Sequence, residues 1–357
     1  MNLSVFIPGI VFQSILIGGG YITGREVVEY FLDNGQAAWL VVTIVTIGFF
    51  LCMYMALELA RITSSFHYAS WSSVLLKKSA PAFEVLFVAM AILVLAIVIS
   101  AASSVISELA NVTDSGLAIF VAVLVSTIVL LGERSIERLK VVGTLFLYGC
   151  FGIFLYVLLR SSNLETGGVF HQSATPLNAI SDGLTYIGYN FVAIPASIFA
   201  AQGLKTKNET IIAAAIGAIL GVVPMAMLVS GIGGLSGEVL TQTLPLKYAL
   251  QHASNDAWII TLYGVVLFVA LIETAVGMSF ALSKRVELRF PESNNKDVLR
   301  FVSAFMLIMA ALLLSRIGVI SLVAKGYSYM AWGFFAVAVA PLTYWFIFKR
   351  PVLVQGD

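Results

Sequence analysis

The segment from Phe6 to Phe31 reads FIPGIVFQSILIGGGYITGREVVEYF, and it decides how the rest of the chain is read. Mostly apolar residues lead to Gly18, Gly19 and Gly20, and a second half follows that carries Arg25, Glu26 and Glu29. Glycine is the weakest ordinary helix former and accepts almost any backbone angle. Three in a row inside an apolar segment predict a helix interrupted at membrane depth. Interrupted backbone is tolerated there only where it is buried in protein or lines a cavity. The triplet therefore points to a binding site near the membrane midplane.

The surrounding composition supports a membrane setting. The chain is 60% hydrophobic and 11% charged, with a mean hydropathy of +0.98. Soluble domains carry about 25% charged residues, so a polytopic membrane protein is expected, with the lipid bilayer as its solvent. No basic stretch precedes the first apolar run, which flows into a charged half-helix, so no cleavable signal peptide is expected. A net charge of +1 and the lack of a basic cluster give no reason to expect nucleic acid as a partner. Cys52 and Cys150 both lie in apolar runs and read as buried thiols. His67, His171 and His252 are far apart in the sequence and form no metal pattern, so neither a metal nor an organic cofactor is expected.

A membrane span needs about 20 apolar residues. Ten such segments can be read, at roughly 5–31, 37–61, 83–107, 116–132, 139–159, 178–202, 209–234, 257–282, 298–315 and 327–348. With a cytoplasmic amino terminus, fifteen Lys and Arg residues fall on the inner side. Four fall on the outer side (Arg160, Lys247, Arg316 and Lys325), and Arg25 lies within the first span. That asymmetry predicts both termini in the cytoplasm of a multi-pass protein of the cell membrane.

Span six holds a second break. It reads SDGLTYIGYNFVAIPASIFAAQ, with Gly188, Tyr189 and Asn190 at its middle and Pro195 after them. Gly188 follows Gly18 by 170 residues, and spans two and seven are offset by a similar distance. Polar connectors of similar length, Thr63 to Pro81 and Ser236 to Asn255, follow spans two and seven, and each can form an interfacial helix. Five is an odd number, so two five-span halves must enter the membrane from opposite sides. The expected organisation is an all-α membrane protein with a first repeat at 1–162, an extracellular connector at 163–176, an inverted repeat at 177–350 and a cytoplasmic tail at 351–357. Two such halves, each opening on a broken helix, are a transporter signature.

On these features the chain resembles the LeuT-fold, or amino acid–polyamine–organocation, superfamily of secondary transporters. Its stretch GGGYITGREVVEYF resembles the bacterial YkvI-like membrane proteins within it. The resemblance implies alternating access around a central site between spans one, three, six and eight. It also implies that amides around Gly18, Gly19, Gly20 and Tyr21 hold a substrate carboxylate, while carbonyls nearby, including that of Ile17, hold a cation. Tyr189 resembles the aromatic residue that caps substrate in relatives. In span eight, Ala270, Glu273 and Thr274 match a sodium-site pattern in which Glu273 stands where a hydroxyl is usual.

Read from the residues alone, each position keeps a plainer account. The glycines also serve close helix packing, and Tyr186 and Tyr189 can be packing aromatics. Asn190 offers both a donor and an acceptor. Gln13, Ser100, Ser103 and Ser104 are polar at depth, but serines often bond their own helix backbone. Glu273 is a membrane-buried carboxylate that can ligate a cation or carry a proton, or pair with Lys284 or Arg285 near an interface. Arg25, Glu26 and Glu29, with Asp182 across from them, form an outer gate or a hydrated vestibule wall; Arg25 and Glu29 have the spacing of a helix ion pair. Glu58 and Arg61 read as a structural pair. Lys140 lies too near the start of span five to take a cation's place.

The function these features predict is ion-coupled symport of a small organic solute, an amino acid or related carboxylate, driven by a sodium ion or proton. The alternative is a ligand-sensing receptor subunit of the same fold, as in germinant receptors. No paired catalytic carboxylates and no nucleophile motif support an enzyme. Oligomeric state leaves no mark in the sequence.

Overall fold

Helices account for nearly all of the computed structural model, which describes residues 3–110, 112, 116–160, 168–171, 175–235, 237–242, 244–290, 295–315 and 325–350. The expected connector 163–176 falls largely, and the tail 351–357 wholly, outside the described residues. In chain order the helices are α1 (Ile7–Leu16), α2 (Gly19–Ile22), α3 (Arg25–Tyr30), α4 (Ala38–Thr63), α5 (Tyr68–Leu76), α6 (Ala80–Ala110), α7 (Leu117–Val129) and α8 (Glu133–Arg160). They continue as α9 (Pro176–Asn190), α10 (Ala193–Ser197), α11 (Lys207–Ile232), α12 (Pro245–Ala253), α13 (Ala257–Arg289), α14 (Lys296–Ser315) and α15 (Tyr327–Lys349).

Among the described residues, six stretches are long and apolar enough to cross a membrane: Leu32–Thr63, Tyr68–Ser107, Lys207–Ile232, Ala257–Glu287, Lys296–Leu314 and Tyr327–Lys349. The predicted spans four and five appear as the shorter apolar helices Leu117–Val129 and Leu145–Arg160, and spans one and six are not among the long stretches either. Each is divided into short pieces, α1–α3 and α9–α10, and a helix broken midway offers no continuous run of about 20 residues. The two polar connectors hold the short helices α5 and α12, as their composition suggested.

Local chemistry sets several helix starts. Thr206 and Glu209 cap α11 reciprocally: the Glu209 amide donates to Thr206 Oγ1 at 3.2 Å, and the Thr206 amide donates to Glu209 Oε2 at 3.1 Å. Thr175 caps α9 ahead of Pro176, whose missing N–H costs nothing at a first turn. Small residues then set how closely helices approach. A Cβ on Gly9 of α1 would lie 2.9 Å from the Gly217 amide nitrogen of α11. A Cβ on Gly183 of α9 would lie 2.9 Å from Ile44 Cγ2 of α4. Neither crossing admits a side chain, which is how small residues serve helix packing in lipid.

Two charged clusters tie helices together. Glu58, fully buried on α4, accepts from Arg61 at 2.9 Å and from Arg350 at 2.9 Å, just past the end of α15. The predicted Glu58–Arg61 pair is therefore one half of a three-residue group. In the other cluster, Glu84 of α6 pairs with Arg285 of α13, whose guanidinium also lies 5.2 Å from the centre of the Tyr68 ring. Tyr68 donates to Glu84 at 3.0 Å.

Candidate functional site

Span one is interrupted twice. Helix α1 ends at Ile17, whose angles (φ −76°, ψ 74°) are those of an inverse γ-turn. The Gly18 amide closes that turn by donating to the Leu16 carbonyl at 2.8 Å. One helical turn later Gly24 takes φ +80°, a left-handed angle that favours glycine, and α3 leaves in a new direction. Gly24 also has no room for a side chain, since a Cβ there would lie 2.9 Å from the Leu246 amide nitrogen of α12.

The break in span six is of a different kind. Gly188 lies inside α9 and the helix runs on to Asn190; Phe191 and Val192 then form a tight turn at right-handed helical angles before α10. Sequence reading placed this interruption at Gly188–Asn190. Gly188 instead packs against the last span, where a Cβ would sit 2.8 Å from the Phe335 ring and 2.9 Å from Ala331 Cβ.

A cavity of about 20 Å³ lies where the two breaks meet, roughly the space of one water molecule. Span one contributes Leu16, Gly18 and Glu26, and span six contributes Tyr189, Asn190 and Ala193. Met90 and Val94 of α6, Met278 of α13 and Tyr327 of α15 also stand in the wall. Two aromatic rings stand in its wall, Tyr189 and Tyr327, with further rings packed against Tyr189 and its neighbour Tyr186. Tyr30 lies 5.4 Å from Tyr189 and Phe31 lies 4.9 Å from Tyr186 between ring centres, while Tyr189 stacks on Tyr327 at 4.3 Å. Within the span-six turn, Phe191 packs near Trp71 and Phe334, and the Trp71 indole donates to the Ala56 carbonyl at 3.1 Å.

Of the residues expected to bind substrate, Gly18, Tyr189 and Asn190 line this cavity, and Gly19 and Gly20 open α2 beside it. The Asn190 amide donates to the Tyr186 carbonyl at 3.0 Å. Others face elsewhere. Tyr21 sends its hydroxyl to the Gly221 carbonyl of α11 at 3.0 Å. Ser103 bonds the Ile99 carbonyl and Ser104 the Ser100 carbonyl, each within its own helix, and Ser104 is exposed. Span three reaches the cavity instead through Met90 and Val94, a turn or more before Ser100.

Oxygen atoms gather on the other side of the first break. The Thr274 hydroxyl lies 2.9 Å from the Ala270 carbonyl and 3.3 Å from the Ile17 carbonyl. Gly18 packs there too, with Thr274 Cγ2 3.3 Å from where its Cβ would be. Three of the four residues expected to couple an ion thus meet. The fourth, Glu273, is buried with its carboxylate against α8, where a Cβ on Gly143 would lie 2.5 Å from Oε2. Arg285, considered as its partner, pairs with Glu84. The side chains of Lys284 and Lys140 lie outside the described ones.

The four gate residues divide. Arg25 pairs with Glu29 at 2.6 Å, as their spacing predicted, and donates to the Leu240 carbonyl at 2.8 Å and the Gln242 carbonyl at 3.3 Å. Asp182 accepts from Asn34 at 2.8 Å, and Asn34 also donates to the Tyr30 carbonyl. Glu26 turns the other way, into the cavity wall. Sequence reasoning did not anticipate that placement, nor the share of Tyr327 and Met90. Only the pairing of Tyr186 with Tyr189, three residues apart on one helix, hinted at an aromatic wall.

No family model matches the chain, and no curated protein matches it. Solved structures do. A mutant form of a manganese transporter of Eremococcus coleocola aligns over 95% of this chain and 78% of its own at 14% identity, with a TM-score of 0.67. Mhp1, a nucleobase-cation-symport-1 family transporter in a closed conformation with bromovinylhydantoin bound, aligns over 97% and 79% at 14% identity, with a TM-score of 0.66. A Na+-coupled sialic acid symporter aligns over 92% and 75% at 13% identity, with a TM-score of 0.58. The chain therefore shares the helical fold of LeuT-fold transporters, a fold of multi-pass membrane proteins.

Proposed function

We propose that the chain is a secondary active transporter that moves a small organic solute, an amino acid or related carboxylate, by alternating access across the cell membrane. The observation that carries this reading is the cavity at the meeting of two interrupted helices, with backbone, tyrosine and carboxylate groups in its wall. A site between two interrupted helices, bordered by tyrosine rings, suits a solute taken from one face and released at the other.

Ten spans in two inverted halves, with both termini cytoplasmic, complete the proposal. Exchange of halves maps the α1–α11 crossing at Gly9 and Gly217 onto the α9–α4 crossing at Gly183 and Ile44, which supports it. Coupling to a sodium ion would use the carbonyls of Ile17 and Ala270 with the Thr274 hydroxyl; coupling to a proton would use Glu273. The proton version is favoured, because one proton neutralises a buried carboxylate without a full ligand shell.

The test is uptake of labelled amino acids and carboxylates into vesicles holding the purified chain, under an imposed sodium or proton gradient. Accumulation above the equilibrium level supports transport. Proton coupling through Glu273 predicts uptake that falls as external pH rises, and flattening of that dependence in Glu273→Gln. Binding without accumulation of any solute bound would refute transport and leave a sensor.

A further inference from the structure

The cavity wall carries a buried carboxyl group with no cationic side chain acting on it among the described residues. Glu26 is 4% exposed. Its neighbour Arg25 is committed to Glu29 and to the Leu240 and Gln242 carbonyls. The groups that act on the Glu26 carboxyl are the hydroxyls of Tyr186 and Tyr189, with no lysine, arginine or histidine among them. Those hydroxyls point toward Glu26, yet Glu26 Oε2 and both tyrosine oxygens are buried with no hydrogen-bond partner at normal length. Glu26 and Tyr189 thus border the cavity together, with the Tyr186 hydroxyl beside them and no cation to hold the carboxyl. An unpaired buried carboxylate costs several kcal/mol, and in membrane interiors such groups mark ligand sites.

The rest of the wall fits a cation. Tyr189 and Tyr327, stacked on each other, both border the cavity, and tyrosine rings attract ammonium groups electrostatically. The cavity volume of about 20 Å³ matches a small polar head and excludes a bulky one. A carboxylate and the rings of Tyr189 and Tyr327 at a water-sized space, with the Tyr186 hydroxyl near the carboxylate, suit an ammonium group. A carboxylate ligand brought to the same place would meet Glu26 as a like charge.

We propose that Glu26, with the Tyr186 and Tyr189 hydroxyls, binds the ammonium group of the solute, so that the transported class is amines, amino acids included, and not simple carboxylates. This deepens the transport reading and rests on it only for the passage of the solute across the membrane; binding stands by itself.

The experiment uses the full chain in detergent and titrates ammonium, ethylamine, alanine and propionate at constant ionic strength, read as shifts in thermal unfolding. Ethylamine or alanine should stabilise the wild type and propionate should not. Stabilisation by ammonium alone would assign the site to free ammonium, within the same chemistry. Glu26→Gln, which keeps the shape and removes the charge, should weaken binding about tenfold or more, the worth of a charge-assisted hydrogen bond. A second readout needs no variant: labelling of Glu26 by a hydrophobic carbodiimide, mapped by mass spectrometry, should be blocked by ethylamine and untouched by propionate. The proposal is overturned by equal binding of propionate, by undiminished binding in Glu26→Gln, by labelling that no amine blocks, or by a wild type that none of the amines stabilises. Amine binding without vesicle uptake would leave this site intact and remove the transport reading.

Discussion

Gly188→Ala separates two accounts of one glycine by the sign of its effect. If Gly188 only weakens α9, alanine should stabilise the protein by about 1 kcal/mol, the helix-propensity difference. The structure argues otherwise. The new methyl would lie 2.8 Å from Cδ2 and Cε2 of Phe335 and 2.9 Å from Ala331 Cβ. Carbon atoms settle at about 3.5–4.0 Å, so the ring must retreat by roughly 0.7–1.2 Å. Ala331 sits on the body of α15 and retreats only if the helix does. Overpacking of this kind costs about 1–3 kcal/mol, which outweighs the propensity gain in most of its range and leaves a net loss of about 1 kcal/mol. Phe335→Leu should relieve part of the clash, so the double variant should be more stable than the sum of the single effects by about 0.5 kcal/mol or more. Denaturant unfolding of the purified protein in detergent, followed by tryptophan fluorescence, measures all four proteins. A Gly188→Ala variant more stable than wild type, with additive behaviour in the double variant, would refute the packing argument.

Two further outcomes follow from the same geometry. Thr274→Val keeps the volume but removes the hydroxyl between the Ile17 and Ala270 carbonyls, and so tests the sodium version: the protein should stay folded, any sodium dependence of uptake should weaken about tenfold if the cluster holds the ion, and unchanged dependence would make this cluster packing only. Glu58→Gln strips the charge from a buried carboxylate that holds Arg61 and Arg350; unfolding should show a loss of about 2–4 kcal/mol, and a change within about 0.5 kcal/mol would mean that water around the two arginines already screens the group.

The backbone events were the legible part of this chain. Gly18 could be read because an interruption inside an apolar run has few explanations. The Arg25–Glu29 spacing is a local pattern of the same kind. The span-six turn was harder. Glycine marked the wrong residue, because Gly188 answers to a neighbouring helix, and sequence does not show which helix lies alongside. The serines failed for a related reason. Ser103 and Ser104 are polar at depth, but their hydroxyls are satisfied within one helical turn, so polarity carried no information about the site. Tyr327 and Met90 belong to the wall only through the way α6 and α15 pack around the breaks.

Glu26 shows how one local rule redirects chemistry. Successive residues on a helix point about 100° apart, so Arg25 and Glu26 cannot serve the same side. The left-handed turn at Gly24 sets where that fan begins. It sends Arg25 to the carbonyls of Leu240 and Gln242, while the Thr23 carbonyl just before the turn accepts from the Leu246 amide of α12 at 3.1 Å. Glu26 is left facing the tyrosines. The six residues of α3 therefore hold the connector and carry the acidic group of the cavity wall. Any reorientation of α3 about Gly24 must change both at once: releasing the connector moves the carboxylate, and a cation that fixes the carboxylate fixes the connector. A ligand bound at Glu26, as proposed above, would thus act on the connector through one short helix, with no longer path through the bundle required.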